Sequence, residues 1–229
     1  MMFSASGVLA TVLALSPAAL AAFDQNRGGA VLKAPAGASF ASATGTFTVP
    51  SLTGTSKLSI WVAIGDTLEQ DVVLKGGVTY TGSGLTTFAA WAPGAETALT
   101  GQVPVRGGDT VTVTVARSAT DPGAGTVTVE NTTQNRRAAQ AVAVPAAVAD
   151  PAELPAGAAD WFVQAYQDAG ELVRVPRFGT VTFTRAGATL ANGTAVGLTG
   201  AGTFEIQGTS GQIYSRTTVT ANTVTVRQQ

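Results

Sequence analysis

The chain has 229 residues, of which 45% are hydrophobic and 12% are charged, and its formal net charge at pH 7 is −1. This composition excludes an intrinsically disordered chain, and the absence of a basic excess argues against nucleic acid as a partner. The sequence contains neither histidine nor cysteine. It therefore excludes a Ser-His-Asp triad, a Cys-His dyad, a disulfide framework and zinc sites built from histidine or cysteine.

The N-terminal segment predicts export. Residues 7–20 form an uncharged, mostly apolar run, and residues 19–21 (ALA) have the A-x-A form of a signal-peptide cleavage site. The run is too short to span a bilayer comfortably. We predict a signal peptide at residues 1–21, a single domain at residues 22–229, and a secreted, extracellular protein that leaves the membrane once the signal is removed.

The rest of the chain predicts strands. Threonine and valine alternate in many short runs, which is the pattern of strands with one buried face. Glycine and proline separate the runs, and residues 145–159, rich in alanine and proline, predict a connecting loop. We expect an all-β fold of about a dozen strands in a sandwich or barrel. The clearest alternating runs are residues 45–49, 110–115, 126–129, 180–184 and 223–226.

Four segments, in chain order, resemble motifs of the glutamic peptidase (eqolisin) family. The likeness spans most of the chain after residue 25, and it implies a two-sheet antiparallel β-sandwich, a concanavalin A-like jelly roll. The segments are residues 26–32 (NRGGAVL), similar to N-W-[AG]-G-A-[VI]-L; residues 44–50 (TGTFTVP), close to the family's first long strand; residues 61–65 and 73–78 (WVAIG and VLKGGV), similar to W-V-G-I-D and [IL]-L-Q-[TA]-G-V; and residues 159–164 (ADWFVQ), similar to A-E-[WF]-I-[VI]-E.

The resemblance also locates the family's catalytic pair, a glutamate that acts as general base and a glutamine that stabilises the oxyanion. The glutamine position is Lys75, fourteen residues after Trp61, and the glutamate position is Gln164. An amide cannot take a proton from water, and general-base catalysis contributes roughly 100- to 10,000-fold in rate. The substitutions therefore imply an impaired enzyme. Asp160 retains an acid, in place of the motif's first glutamate.

Aromatic residues near these positions are candidates for the substrate cleft. By resemblance these are Trp61, Phe88 and Trp91, although tryptophan is more often a core or rim residue than a ligand platform. Lys75 and Gln164 are ordinary surface residues if the register is shifted by one, because alternation then places them on the opposite face.

Two further patterns concern modification and metals. Asn131 and Asn192 begin N-x-[ST] sequons, the acceptor pattern for N-glycosylation. The acids at positions 66, 69 and 71 lack the glycine and glutamate pattern of a calcium loop. We predict no metal and no cofactor.

Three functions remain open at this point. The first is a non-catalytic family member, a monomer that binds a peptide, protein or glycan through the ancestral cleft. The second is an acid endopeptidase with a rearranged pair, in which Asp160 is the base and Lys75 the oxyanion partner. The third is a structural secreted protein without a cleft function.

Overall fold

A computed structural model describes residues 21–65, 72–154, 156–168, 171–172 and 175–229. The predicted signal peptide lies outside the described residues except for Ala21, and so do the acids at positions 66, 69 and 71. None of the helical structure within the described ranges has the length and hydropathy needed to cross a membrane.

The first sheet has eight strands. All of its pairings are antiparallel except that between Ala22–Asp24 and Gly202–Ile206, the first two strands from one edge. From edge to edge the strands are β1 (Ala22–Asp24), β16 (Gly202–Ile206), β2 (Arg27–Lys33), β11 (Ala158–Gln164), β4 (Leu58–Gly65), β5 (Leu74–Thr81), β6 (Gly84–Trp91) and β7 (Thr97–Ala98).

The second sheet is antiparallel throughout. Its order is β10 (Arg136–Ala143), β9 (Ala124–Asn131), β8 (Thr110–Arg117), β3 (Phe40–Thr48), β14 (Thr180–Leu190), β18 (Val224–Gln228) and β17 (Ser215–Val219), with β15 (Ala195–Val196) also paired to β14. Outside the two sheets are a short pair, β12 (Gln167–Asp168) with β13 (Glu171–Leu172), and a 3-10 helix at Pro151–Glu153.

The core lies between the two sheets, which confirms the predicted two-sheet antiparallel sandwich. On β8, Val111, Val113 and Val115 face inward and are fully buried, as the threonine–valine alternation predicts. On β4, Ile60 and Val62 face them from the first sheet. Each such side chain contributes about 1.5–3 kcal/mol when it is removed from water.

Trp161 of β11 fixes the first sheet to the second. Its ring is fully buried, and its Nε1 donates a hydrogen bond of 2.8 Å to the carbonyl oxygen of Thr44 on β3. A Cβ added at Gly45 would lie 2.9 Å from the Trp161 ring, so the close approach requires glycine there.

The alternation on β14 is interrupted at Arg185, whose φ of 51° is left-handed. The register with β3 shifts between Thr184 and Gly187, which marks a β-bulge. Strand β14 continues past the bulge to Leu190, whereas the sequence pattern predicts a strand only at residues 180–184.

Candidate functional site

The candidate site is built on the outer face of the first sheet, the face turned away from the core. On this face Lys75 of β5 lies directly opposite Ala63 of β4, and Ala63 lies directly opposite Asp160 of β11. Directly opposed residues share a face of the sheet. Lys75 and Asp160 therefore flank the small Ala63 side chain in a single row across three strands.

Gln164 lies on the same face, four residues after Asp160 on β11. Its Oε1 accepts a hydrogen bond of 3.0 Å from Nε1 of Trp61. Indole N–H is only a donor, so the amide must present its oxygen to Trp61. The family resemblance predicts a carboxylate at position 164. The Trp61 N–H beside it can donate a hydrogen bond to an amide oxygen or to a carboxylate.

Four aromatic rings run across the outer face in one row, and we call them the outer aromatic cluster. Phe162 lies 5.1 Å from Trp61 and 5.8 Å from Phe204, measured between ring centroids. Phe88 of β6 lies beyond Trp61 and is separated from it by Gly77 of β5. The members are Trp61, Phe88, Phe162 and Phe204.

Glycine makes this row possible. A Cβ at Gly77 would lie 2.0 Å from the carbonyl oxygen of Ile60, and a Cβ at Gly29 would lie 2.0 Å from that of Trp161. Neither position has room for a side chain, and each has an aromatic ring on both sides. The rings therefore close over the buried backbone of both glycines, and Trp61, Phe88 and Phe162 are themselves buried, whereas Phe204 is half-buried.

Lys75 places its ammonium between two rings of the cluster. Its Nζ lies 5.8 Å from the ring centroid of Trp61 and 5.8 Å from that of Phe88, within the range of a cation–π contact. The side chain is 16% exposed, and Nζ lies 3.8 Å from Oε1 of Glu96 in the turn between β6 and β7. Burial lowers the pKa of Lys75; Glu96 opposes this shift, whereas Lys57 and Arg27 add to it.

One end of the site carries a hydroxyl network. Ser59, directly opposite Gln164, exchanges hydrogen bonds with Thr79 at 2.7 Å and with Tyr166 at 2.8 Å. The Nζ of Lys57 lies 4.1 Å from the centroid of the Tyr166 ring. This network fixes the floor of the site beyond Trp61.

The structure brings most of the residues singled out from sequence to one face. Lys75, Gln164 and Asp160 share it with Trp61 and Phe88. Strand β4 separates β5 from β11, so the two family positions approach Trp61 from opposite sides rather than each other directly.

Trp91 is not in the site, and its assignment to the cleft does not agree with the structure. It follows Ala90 on β6 and so faces the other side of the sheet, where it is 3% exposed within the core between the sheets.

The two sequons differ in their surroundings. Asn131 is fully buried, and its Nδ2 donates to the carbonyl oxygen of Pro104 at 2.9 Å and to Oδ2 of Asp109 at 2.8 Å. Both amide hydrogens are used, so the folded protein does not offer Asn131 for glycosylation. Asn192 is in an exposed turn, with its Oδ1 accepting from the Thr194 backbone N–H.

The sequence reasoning missed Phe162, Phe204 and the two glycines. Phe162 is two residues before Gln164, so strand periodicity places both on one face and was a usable signal. Phe204 and Gly29 come from β16 and β2, and their approach depends on a strand order that local patterns do not contain.

The comparisons with known proteins agree with this geometry. A model of the Peptidase A4 family matches residues 25–228. The chain belongs to the Peptidase A4 family. This family match confirms the predicted glutamic peptidase resemblance.

Individual members of the family show the extent of the likeness. Aspergillopepsin-2 of Aspergillus niger is 31% identical over 231 residues, covering 89% of this chain and 77% of that protein. Scytalido-glutamic peptidase with a transition state analog inhibitor has the same fold, with a TM-score of 0.77 and 22% identity over 90% of this chain and 99% of that chain. SCP-B, an eqolisin family member in a complex with the tripeptide Ala-Ile-His, has a TM-score of 0.73 and 22% identity, with the same coverage of both chains.

The assignment of Lys75 and Gln164 to the motif positions of the catalytic glutamine and glutamate stays a prediction from the resemblance. Both positions adjoin Trp61, one through its ring and one through its N–H.

Proposed function

We propose that this Peptidase A4 family protein binds an extended peptide across the outer aromatic cluster and does not hydrolyse it. The observation that carries the proposal is the hydrogen bond from Trp61 to Gln164. It sets an amide, which cannot act as a base, at the position where the family resemblance places the base. Lys75, protonated in acid, cannot replace that base.

The shape and chemistry of the outer face support a peptide as the ligand. A ligand would meet this face at its half-buried residues, Lys75, Gln164 and Phe204, which lie over the buried rings of the cluster. These residues offer a cation, an amide and an aromatic ring, and aromatic rings are good partners for the apolar side chains of a ligand. SCP-B in its complex with Ala-Ile-His provides a precedent within the same fold.

Asp160 supports a second candidate, an acid endopeptidase with a rearranged pair. Asp160 and Lys75 lie two strands apart on either side of Ala63, so a base and a cation are available on the same face. Asp160 is fully buried, however, and a water molecule would need an opening to reach it. We therefore rank this function second.

Two assays separate the candidates. Wild-type protein is incubated with an acid-unfolded substrate protein between about pH 2 and pH 6, and peptide release is compared with a buffer control. Retention of a capped decapeptide mixture on immobilised protein is measured by mass spectrometry, with Trp61→Phe as the variant that keeps an apolar ring and loses the N–H. We expect retention without cleavage. Proteolysis abolished by Asp160→Ala would establish the second candidate, and neither cleavage nor retention would leave a structural role.

We also propose that the domain is exported, because residues 7–21 have the form of a signal peptide. Intact-mass analysis of protein from the culture medium should find a chain that starts at or close to Ala22. A secreted chain starting at Met1 would contradict this.

A further inference from the structure

Positive charge is concentrated around the outer aromatic cluster. Lys75 lies between the Trp61 and Phe88 rings, and the guanidinium of Arg27 lies 5.8 Å from the centroid of Phe162. Lys57 lies over the Tyr166 ring at the end of the same face. Arg27 is paired with Asp24 at 2.7 Å, whereas Lys75 lies between Phe88 and Trp61, the first two rings of the row.

Lys75 has a weak protein partner. Among the described residues its ion pair is with Glu96, at 3.8 Å, which is longer than the 2.7–2.9 Å typical of a charge-assisted hydrogen bond. An ammonium has three donors, and partial burial without hydrogen bonds is costly. Glu96 lies in a turn with its side chain 30% exposed, so solvent reaches the ion pair and weakens it.

We infer that the site selects peptides that carry a carboxylate, which takes the place of Glu96 and pairs with Lys75 between the Trp61 and Phe88 rings. This inference rests on the proposed peptide binding. The carboxylate is supplied by an aspartate or glutamate side chain or by a peptide C-terminus, since both have the same chemistry. Glu96 acts as an internal competitor that pairs with the Lys75 ammonium in the free protein.

The test uses two decapeptide mixtures, acetylated and amidated at their ends, with glutamate or glutamine fixed at the fifth position and the other positions random. Retention on immobilised protein is measured at pH 6, where glutamate is ionised. We expect about tenfold stronger retention of the glutamate mixture, the difference between a charged and a neutral hydrogen bond. A third mixture, with glutamine at the fifth position and a free C-terminus, tells a terminal carboxylate from a side-chain one.

Variants on both sides of the ion pair sharpen the test. Lys75→Met keeps the aliphatic stem and should abolish the preference while retaining both mixtures. Glu96→Gln should strengthen retention of the glutamate mixture about twofold to fivefold, because the competing charge is gone. The control is Arg136→Gln, which removes an exposed positive charge from β10 of the second sheet and should change nothing.

The outcomes distinguish the inference from the function on which it rests. Equal retention of all three mixtures by the wild type overturns the carboxylate preference and leaves peptide binding standing. A preference that survives Lys75→Met overturns the role of Lys75. Retention of none of the mixtures overturns both proposals.

Discussion

The outer faces of the two sheets have the same strand geometry and opposite chemistry. On the second sheet threonine faces threonine: Thr44 bonds Thr114 at 2.9 Å, and Thr46 bonds Thr112 at 2.8 Å. On the first sheet the outer face carries aromatic rings, a lysine and an amide. On the second sheet these threonine hydroxyls hydrogen-bond one another, whereas on the first sheet the Lys75 ammonium is paired with Glu96 at 3.8 Å.

The difference is visible strand by strand. β8 alternates buried valines with half-buried threonines, whereas every residue of β4 is buried on both faces. A strand on an antiparallel sheet with one solvated face normally alternates. Where alternation fails on one strand of such a sheet, the outer face is covered or prepared for a ligand, and the functional site is to be sought there.

The largest expected effect comes from a side chain added at Gly77, between the Trp61 and Phe88 rings. Gly77→Ala should destabilise the protein by about 3 kcal/mol or prevent folding, because its Cβ would lie 2.0 Å from the Ile60 carbonyl oxygen. Urea unfolding followed by circular dichroism measures the loss. Gly101→Ala is the matched control, since a Cβ there meets no atom within 4 Å. Equal stability of the two variants would contradict the close packing of the row.

Introducing the family pair should give the outer face of the first sheet catalytic activity. Lys75→Gln combined with Gln164→Glu should raise peptide release in acid by up to about 100-fold over the wild-type background, the lower end of general-base catalysis. The carboxylate keeps the hydrogen bond from Trp61. Gln164→Glu alone should be less active, because the positive charge of Lys75 on the other side of Trp61 lowers the pKa of the new glutamate and weakens it as a base. Equal activity of Gln164→Glu and the double variant would show that Lys75 does not change the pKa of a carboxylate at position 164.

Charge on the second sheet has a structural role, and acid should reveal it. Burial alone would raise the pKa of Asp109, but hydrogen bonds from Asn131, the Arg106 backbone and Gln134 outweigh it and lower the pKa. A carboxyl group whose pKa is lowered by folding stabilises the fold at pH values above its unfolded-state pKa, which is near 3.9. This stabilisation is lost as the pH falls through the folded-state pKa.

Asp109→Asn should therefore cost about 1–3 kcal/mol at pH 6, and less as the pH falls below about 4. Urea midpoints measured across this range test the trend. Asp121→Asn, at an exposed turn, is the control. A cost for Asp109→Asn that stays constant down to pH 2 would refute the assignment.

The smallest effect is expected on the threonine face. Replacing Thr46 and Thr112 together by valine removes both partners of one hydrogen bond and keeps the shape, so stability should change by less than about 0.5 kcal/mol. Retention of the peptide mixtures should be unchanged. A loss of retention would show that the second sheet contributes to the site and that the two faces are not independent.

Local patterns predicted the sandwich because alternation of threonine and valine reports directly on one buried face, as on β8 and β9. The motif resemblance singled out Lys75, Gln164 and Trp61, and the structure places all three on one face of the first sheet, because strand period fixes the face of each residue without knowledge of the strand order. The insertion of β4 between β5 and β11 is a matter of topology, and no local pattern contains it.

The errors have the same origin. Successive side chains of a strand point to opposite faces of the sheet. Trp91 directly follows Ala90, which lies on the outer face, so Trp91 points into the core. Asn131 matches a sequon, but its burial depends on Pro104 and Asp109, which are distant in the sequence and come together only through the fold.

The fluorescence of the three tryptophans reports on two regions of the protein, the core and the candidate site. Trp161 is clamped between the sheets by the Thr44 carbonyl, and Trp91 lies in the core, so the emission of both should follow global unfolding. Trp61 has a lysine over its ring and an amide on its N–H. Occupation of the outer face thus acts on a single indole, and the spectrum of Trp61, isolated by replacing the other two with phenylalanine, would provide a label-free optical signal for ligand screening.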